Sequence, residues 1–424
     1  MTQDDLDEQL LHYFLPTDPS HQVLREDPYP LFDQIRSLNP IFRSGLGIWV
    51  ITGYQPCLDI LRDQRYSVDP RNAVGGLNAW SETIVESGTK RPVFELSEPI
   101  LLFNDPPRHT RLRRLLARTF TPKAVYQHHE QVRDASRLLL DDLRTRHSFD
   151  FYADFSYPIP LGVISSILGV PVDRLEDFLR WSAMILGLAE PGNRQSPEYL
   201  DGADALATEA LFYFEELVER RRHCPSEDLI SHLIAAEEDD DPISHQELVT
   251  TCIMLHAAGQ ELTAGSLTSA MHLLAKHPDQ AAALRSDPSL LPGAFEEVIR
   301  YEPPPRALVP RFALCDIDLE DGRRIAKGET VFAVVGAANR DPDRFPDPHT
   351  FDVTRKDNQH LGFGFGAHFC LGASLARLEA AAAFEVLLTE YPPLEVVEAE
   401  VAWRDSIVVR ILEKLPVTWT SPQS

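Results

Sequence analysis

A mostly α-helical fold with a smaller β region is predicted for this chain of 424 residues, on three observations. Residues 123 to 233 carry helical character almost throughout. A second helical run extends from Ser244 to about His277, just before Pro278, and a third, ASLARLEAAAAFEVLL, places Leu371, Leu375, Leu378 and Ala382 on one face. Short β-type segments lie around Ile48 to Ile51, in VPRFAL, in ETVFAVV and towards the C-terminal end. No internal repeat, low-complexity segment or long linker divides the chain, so residues 1 to 424 are expected to form a single large domain, with residues 1 to 20 as a flexible N-terminal segment.

A formal charge of −25 speaks against nucleic acid or anionic membrane as a partner. Five scattered cysteines, an odd number, argue against a disulfide framework and fit a reducing compartment. The opening MTQDDLDEQLLHYFLPTDP has neither a basic n-region nor an apolar run long enough for a signal peptide or membrane anchor, so a soluble cytoplasmic protein is expected.

In chain order, PLFDQIRSL and Gln55 to Asp63 read as helices on either side of the first strands. From Arg71 to Leu102 the pattern dissolves, leaving either a pocket-lining loop furnished by Trp80, Ile84 and Phe94 or a surface loop with anchoring aromatics. Asp105-Pro106-Pro107 opens the next helix, where His109 and Arg113 are four apart and share a face about 6 Å apart along the axis. Two cationic donors at that spacing suit a pair of carboxylates; the alternative is a basic solvated stripe.

The helical stretch 123 to 233 is expected to break near Pro158 to Pro160 and again at Glu190 to Pro197, the latter a lid or an ordinary hairpin loop. Glu237 to Pro242 reads as a solvated acidic loop, and Ser244-x-x-Glu247 as a capping box. Gly259 in mid-helix costs about 1 kcal/mol against Ala, so something should need the space beside Ala257, Ala258 and Gly259. Glu261 is an unusual residue for an apolar helix centre. Glu297 and Arg300 form an i, i+3 pair on a helix ended by Pro303, and Lys327-Gly328 reads as a turn before a strand.

The stretch HLGFGFGAHFCLG holds Cys370 among glycines at 362, 364, 366 and 372, which allow a flat ligand to lie close to the main chain. Cys370 sits where this loop meets a helix, and unpaired amides there favour a thiolate. One Cys and one nearby His do not make a zinc site, and no C-x-x-C-H for covalent haem attachment occurs. The plain alternative is a buried, inert cysteine.

Phe363-x-x-Gly366-x-x-x-Cys370-x-Gly372, with His368 two before the cysteine, resembles the haem-thiolate loop of the cytochrome P450 family. The resemblance covers nearly the whole chain and implies that family's fold, with haem b (iron protoporphyrin IX) buried between the long helix and the Cys370 loop. It implies Cys370 as the iron ligand, donating electron density that favours O–O cleavage. It further implies Phe363 over the sulfur and His109, Arg113, Arg311 and His368 on the propionates. Glu297 and Arg300 resemble the buried E-x-x-R network, whose third member is not assigned because Thr350 stands where arginine is often found. Arg111, Arg114 and Arg118 would face outward on the thiolate side to dock an acidic ferredoxin. Ala307, Leu308 and Val309, and the turn Ser406-Ile407-Val408, would line the pocket.

The segment AAGQELT resembles the family's oxygen-binding helix: Ala258, Gly259 and Glu261 match, but Leu262 stands where a hydroxyl is expected and Thr263 comes one later. One residue is about 100° of helix rotation, so Thr263 substitutes only if the helix is locally widened. The expected activity is a monooxygenase oxidising a small organic molecule, a specialised metabolite, with O2 and electrons from a ferredoxin. Its substrate arrives free or on a carrier protein, and its protons come through Glu261 with ordered water or from the substrate itself. The alternatives are a peroxide-driven or non-oxygenating haem-thiolate enzyme, and a non-catalytic haem-binding sensor or partner protein.

Overall fold

The computed structural model describes residues 3–14, 26–45, 47–74, 91–188, 196–238, 242–404, 406 and 408–420. The expected flexible N-terminal segment is helical over α1 (Gln3–Phe14), with Leu6 and Leu10 buried. Leu31, Phe32 and Ile35 of α2 (Tyr29–Leu38) are buried in the same small apolar cluster, at the spacing of one helix face.

A five-stranded sheet follows, in the order β1 (Ile41–Arg43), β2 (Ile48–Ile51), Thr330–Ala333, Arg311–Ala313, β3 (Tyr66–Ser67). Its one parallel pairing sets Val50 against Phe332; the other pairings are antiparallel. All four residues of β2 and of Thr330–Ala333 are buried, as expected for strands covered on both faces. The helix α3 (Tyr54–Arg62) lies between β2 and β3.

In the stretch read as irregular, α4 (Pro92–Ser97) is helical and Phe94 is buried in the main core; Trp80 and Ile84 lie outside the described residues. The helices α5 (Arg108–Ala117) and α6 (His129–Leu143) follow. A short strand, β4 (Ser148–Asp150), and a π-helical turn, Tyr152–Ser156, interrupt the run that was read as helical. The expected break near Pro158 to Pro160 falls where the π-helical turn gives way to α7 (Pro158–Leu168). Both prolines lie in the first turn of α7, where their missing N–H groups cost the helix nothing. That helix ends at Gly169, which has φ +78° and no room for a Cβ beside Asp228.

The helices α8 (Leu175–Gly187) and α9 (Pro197–His223) flank the expected loop, whose residues 189 to 195 lie outside the described ones. After α10 (Leu229–Ala235), Glu237 pairs with Arg222 at 2.5 Å, while Asp239 to Asp241 lie outside the described residues.

The predicted single long helix is two. The first, α11 (His245–Ala258), opens on the predicted capping box, with Glu247 N–H to Ser244 Oγ at 3.2 Å and Ser244 N–H to Glu247 Oε2 at 3.0 Å. The second is α12 (Glu261–Lys276), and Gly259 and Gln260 form a break between them. Then come α13 (Pro278–Ser286), α14 (Leu291–Tyr301), the sheet strands β5 (Arg311–Ala313) and β6 (Thr330–Ala333), and α15 (Ala373–Glu390), which packs on α6, α12 and α14. The chain closes with β7 (Leu394–Val396), β8 (Ala402–Trp403), β9 (Leu412–Lys414) and β10 (Pro416–Trp419). The strand β10 lies between β4 and β7, and β8 pairs with β9. The fold is thus mainly helical with a smaller β region, as predicted, and among the described residues no helix is long and apolar enough to cross a membrane.

Candidate functional site

The Cys370 loop is closed by its own backbone: Gly364 N–H donates to Leu361 C=O (2.8 Å), Phe369 N–H to Gly366 C=O (3.1 Å) and Cys370 N–H to Phe363 C=O (2.8 Å). Gly364 and Gly366 take φ of +70° and +73°, and a Cβ at 366 would stand 2.7 Å from the Leu61 carbonyl oxygen. Gly362 is required differently, by Ile299 of α14, whose Cγ2 would lie 2.4 Å from a Cβ. Gly372 needs neither freedom: its φ is −84° and a Cβ there would meet nothing within 4 Å.

Cys370 keeps accessible surface, yet protein packed around its sulfur strips most of its hydration. Burial therefore pushes the thiol up, against the Gly372 and Ala373 amides and the Arg113 and Arg377 guanidiniums that favour the thiolate. Phe363 stands in the same loop, with the Arg377 guanidinium 4.6 Å from its ring centre and Phe369 at 6.4 Å.

Three elements bring four basic side chains to this loop. His109 and Arg113 come from one face of α5, His368 from the loop and Arg311 from β5. The His109 and His368 rings are 4.1 Å apart, and Arg113 Nη2 donates to the Phe369 carbonyl at 2.7 Å. His109 is 2% exposed and neither of its ring nitrogens has a partner. Arg311 is 5% exposed and donates to its neighbour Val309 C=O at 2.8 Å.

Burial, with His109, Arg311 and Arg113 nearby, holds His368 down at about 3. Burial and Arg113 lower His109 against the pull of Asp105, and burial lowers Arg311 to about 10. Asp105 is itself occupied by Ser67 Oγ and by Val68 N–H. Buried basic groups that repel one another are costly unless an anion faces them, so the cluster fits a ligand carrying carboxylates.

The second part of the candidate site is the break between α11 and α12. Gly259 N–H donates to Leu255 C=O and Ala264 N–H to Gln260 C=O, both at 2.9 Å; among the described residues the rungs from the amides of Gln260 and Thr263 to the carbonyls four residues earlier are missing. Ala258 is exposed and Gly259 and Leu262 are part-exposed, in a stretch whose neighbours are buried. The space that Gly259 provides is taken by Ile164 of α7, whose Cγ1 would stand 2.7 Å from a Cβ.

Leu262 packs on the main core and keeps accessible surface, whereas Thr263 is 8% exposed. The break does not turn Thr263 into Leu262's place, because both belong to the first turn of α12. Glu261 is 2% exposed and ion-paired through Oε1 with Arg404, which follows β8; its Oε2 has no partner. Burial raises this carboxyl, and Arg404 works in the opposite direction.

Behind the loop, Glu297 and Arg300 are wholly buried and doubly bonded, Nε to Oε2 at 2.8 Å and Nη2 to Oε1 at 2.7 Å. Thr350 contributes its carbonyl, which accepts from Arg300 Nη2 at 3.0 Å, and the third charged member is Arg355, 3.2 Å from Glu297. Leu361 N–H donates to Asn339 Oδ1 (2.7 Å), and Asn339 C=O accepts from Arg300 Nη1 (3.0 Å), which ties this network to the cysteine loop. The expected outward basic stripe loses a member: Arg111 pairs with the 4%-exposed Glu247 at 2.6 Å, while Arg114 and Arg118 are exposed.

Ala307 and Leu308 are half-buried against the sheet clusters, Ser406 is buried, and Ile407 lies outside the described residues. Arg404, Arg355 and Gln260 were not singled out from sequence; an arginine set, like Arg410, in the otherwise apolar C-terminal stretch was the available signal for the first of them.

A family model, Cytochrome P450, matches residues 81–400. The chain is 35% identical over 398 residues to the "Biotin biosynthesis cytochrome P450" of Bacillus subtilis, covering 93% of this chain and 96% of that protein. It is 37% identical over 397 residues to the "6-deoxyerythronolide B hydroxylase" of Saccharopolyspora erythraea, covering 92% and 96%. The crystal structure of P450BioI in complex with a hexadec-9Z-enoic acid ligated acyl carrier protein superposes with a TM-score of 0.84 at 33% identity, over 94% of this chain and all of that one.

Proposed function

The chain belongs to the cytochrome P450 family and is a monooxygenase, and from that premise we propose that it oxidises a small, largely apolar organic molecule, a specialised metabolite or a fatty acyl chain, in the cytoplasm. One observation carries the site assignment: the buried, unpartnered His109 faces His368 beside Arg113, Arg311 and the Cys370 loop. In this reading His109, Arg113, Arg311 and His368 hold the two propionates of haem b, and Cys370 is the metal ligand. The Gly372 and Ala373 amides, with Arg113 and Arg377, stabilise the charge on its sulfur. Phe363 and Arg377 cover the sulfur from solvent. Bound there, haem supplies the oxidising chemistry, using O2 and electrons that a ferredoxin delivers one at a time.

The remaining work falls to the chain's own side chains. Ala258 and Gly259 present a small-residue surface at the break, where the Gly259 carbonyl has no rung from Thr263 and is suited to accept from water. Glu261, desolvated and with Oε2 unpartnered, is suited to hold a proton and to pass it through water to that surface. Leu262 donates nothing, so the last proton comes from ordered water or from a hydroxyl or amine on the substrate.

The test is spectroscopic and then kinetic. The reduced carbon-monoxide complex should show thiolate ligation and Cys370→His should abolish it; an unchanged spectrum in that variant refutes the ligand assignment. Screening acyl chains and macrolide-type compounds for a low-to-high-spin shift, then comparing free acid with the same chain on an acyl carrier protein, identifies substrate class and mode of delivery. Leu262 favours one rival, a peroxide-driven or non-oxygenating reaction. Faster turnover with hydrogen peroxide than with reduced ferredoxin would replace the proposal by that rival.

A further inference from the structure

Gln260 stands at the helix break with φ −114° and ψ −54°, and its side chain is wholly buried. A buried primary amide carries two N–H donors and one strong acceptor, and each of them is used. Tyr157 Oη donates to Gln260 Oε1 at 2.7 Å, and Gln260 Nε2 donates to Ser182 Oγ at 2.7 Å. The second N–H points at His256 Nδ1, 3.3 Å away, and His256 Nε2 lies 3.3 Å from Ser165 Oγ. The directions agree with one another: a neutral His256 accepts on Nδ1 and donates from Nε2, and burial keeps that ring neutral by lowering it to about 3. The His256 ring also packs against Phe178 of α8, with ring centres 4.3 Å apart and planes tilted by 53°.

These contacts join three parts of the molecule. Tyr157 and Ser165 belong to α7 and its N-terminal cap, which pack on α6, α12 and α15. Ser182 and Phe178 belong to α8, in the layer that packs on α9 and α11. Gln260 precedes Glu261 and Leu262 directly, and the rungs from its own amide and from that of Thr263 are missing. With those two rungs gone, the side-chain bonds of Gln260 to Tyr157 and Ser182 hold the direction in which α12 leaves the break.

The structure assigns Gln260 as a positioning residue: its amide fixes the break that aims Glu261 and Leu262, and through Ser182 it couples that break to the placement of helix α8. A shift of α8 on ligand entry is felt at the break, and loosening the break is felt in α8, because a coupling free energy is reciprocal. The coupling is a property of the packing and stands whether or not Glu261 passes protons.

Hydrogen exchange on the holoenzyme tests it, with Ser182→Ala, Tyr157→Phe and Gln260→Met, and the exposed Ser286→Ala as control. Losing one net hydrogen bond corresponds to about tenfold faster opening. Ser182→Ala is therefore expected to raise exchange of the hydrogen-bonded Gly259 and Ala264 amides that flank the break about tenfold, and Gln260→Met to raise exchange in α8 by a similar factor. Both should also divert more reducing equivalents to hydrogen peroxide. If Ser182→Ala speeds exchange within α8 alone and leaves the Gly259 and Ala264 amides at the wild-type rate, the coupling does not exist. Should Gln260→Met fail to fold, Ser182→Ala and Tyr157→Phe decide the question from outside the break.

Discussion

Replacing Arg404 by methionine removes the cation from Glu261 while keeping the apolar stem. The groups around that carboxylate are Arg404 and the buried Tyr152 and Tyr157 hydroxyls, with the exposed Glu413 beyond Arg404. Breaking a buried ion pair from one side costs about 3–5 kcal/mol. Arg404 is about a quarter exposed and the carboxyl can take up a proton, which places the expected loss near the lower bound, about 3 kcal/mol. Unfolding entropy of about 2.1 cal/mol/K per residue gives roughly 0.9 kcal/mol/K for 424 residues, so Tm should fall by about 3 °C.

The pH dependence has a definite sign. Burial already raises the Glu261 carboxyl above its unfolded value, so the folded state binds the proton more tightly. The contribution of this group is then fully present below the unfolded pKa and is lost as pH rises through the folded one. Without Arg404 the folded pKa rises further, and the loss extends to higher pH. Arg404→Met should therefore be closer to wild type at about pH 5 than at about pH 8 in thermal denaturation followed at both pH values. Adding Glu261→Gln, which removes the charge, should restore most of the stability at the higher pH. Equal destabilisation at both pH values, with no recovery in the double variant, would refute the electrostatic account of the pair.

Three further outcomes are expected. Gly366→Ala must carry a Cβ at φ +73° against the Leu61 carbonyl and should lose about 1–3 kcal/mol, whereas Gly372→Ala, at φ −84° in open space, should stay within about 0.5 kcal/mol; denaturant titration of the two separates glycines that strain requires from those it does not. His109→Phe removes two unsatisfied buried nitrogens, so it should stabilise the haem-free protein by about 1–3 kcal/mol and yet speed haem transfer to an apomyoglobin acceptor; slower or unchanged transfer would argue against a propionate contact. Arg300→Lys loses a bidentate pair and three carbonyl contacts at zero exposure, at a cost of about 3 kcal/mol or more, and should leave little soluble protein, while Arg355→Lys at the edge of the same network should be milder by Tm.

Sequence by itself determined what depends on near neighbours. The capping box at Ser244, the shared face of His109 and Arg113, the loop-to-helix junction at Cys370 and the odd residue Leu262 are all contained within a few positions, where backbone geometry dictates which side chains meet. The order of those motifs was enough for the family and the fold class. Tertiary structure decided the partners and the spaces. Glu261 meets Arg404 across 143 positions, and Arg355 joins Glu297 from beyond the place where an arginine was sought. The long helix breaks where Ile164 fills the notch at Gly259 and Gln260 finds Tyr157 and Ser182. Helical periodicity continues through that point and only Gly259 marks it, because a break held by side chains from other helices leaves the apolar spacing of the local pattern unchanged. Its cause is packing at long sequence separation, which becomes physical only when the chain has closed on itself.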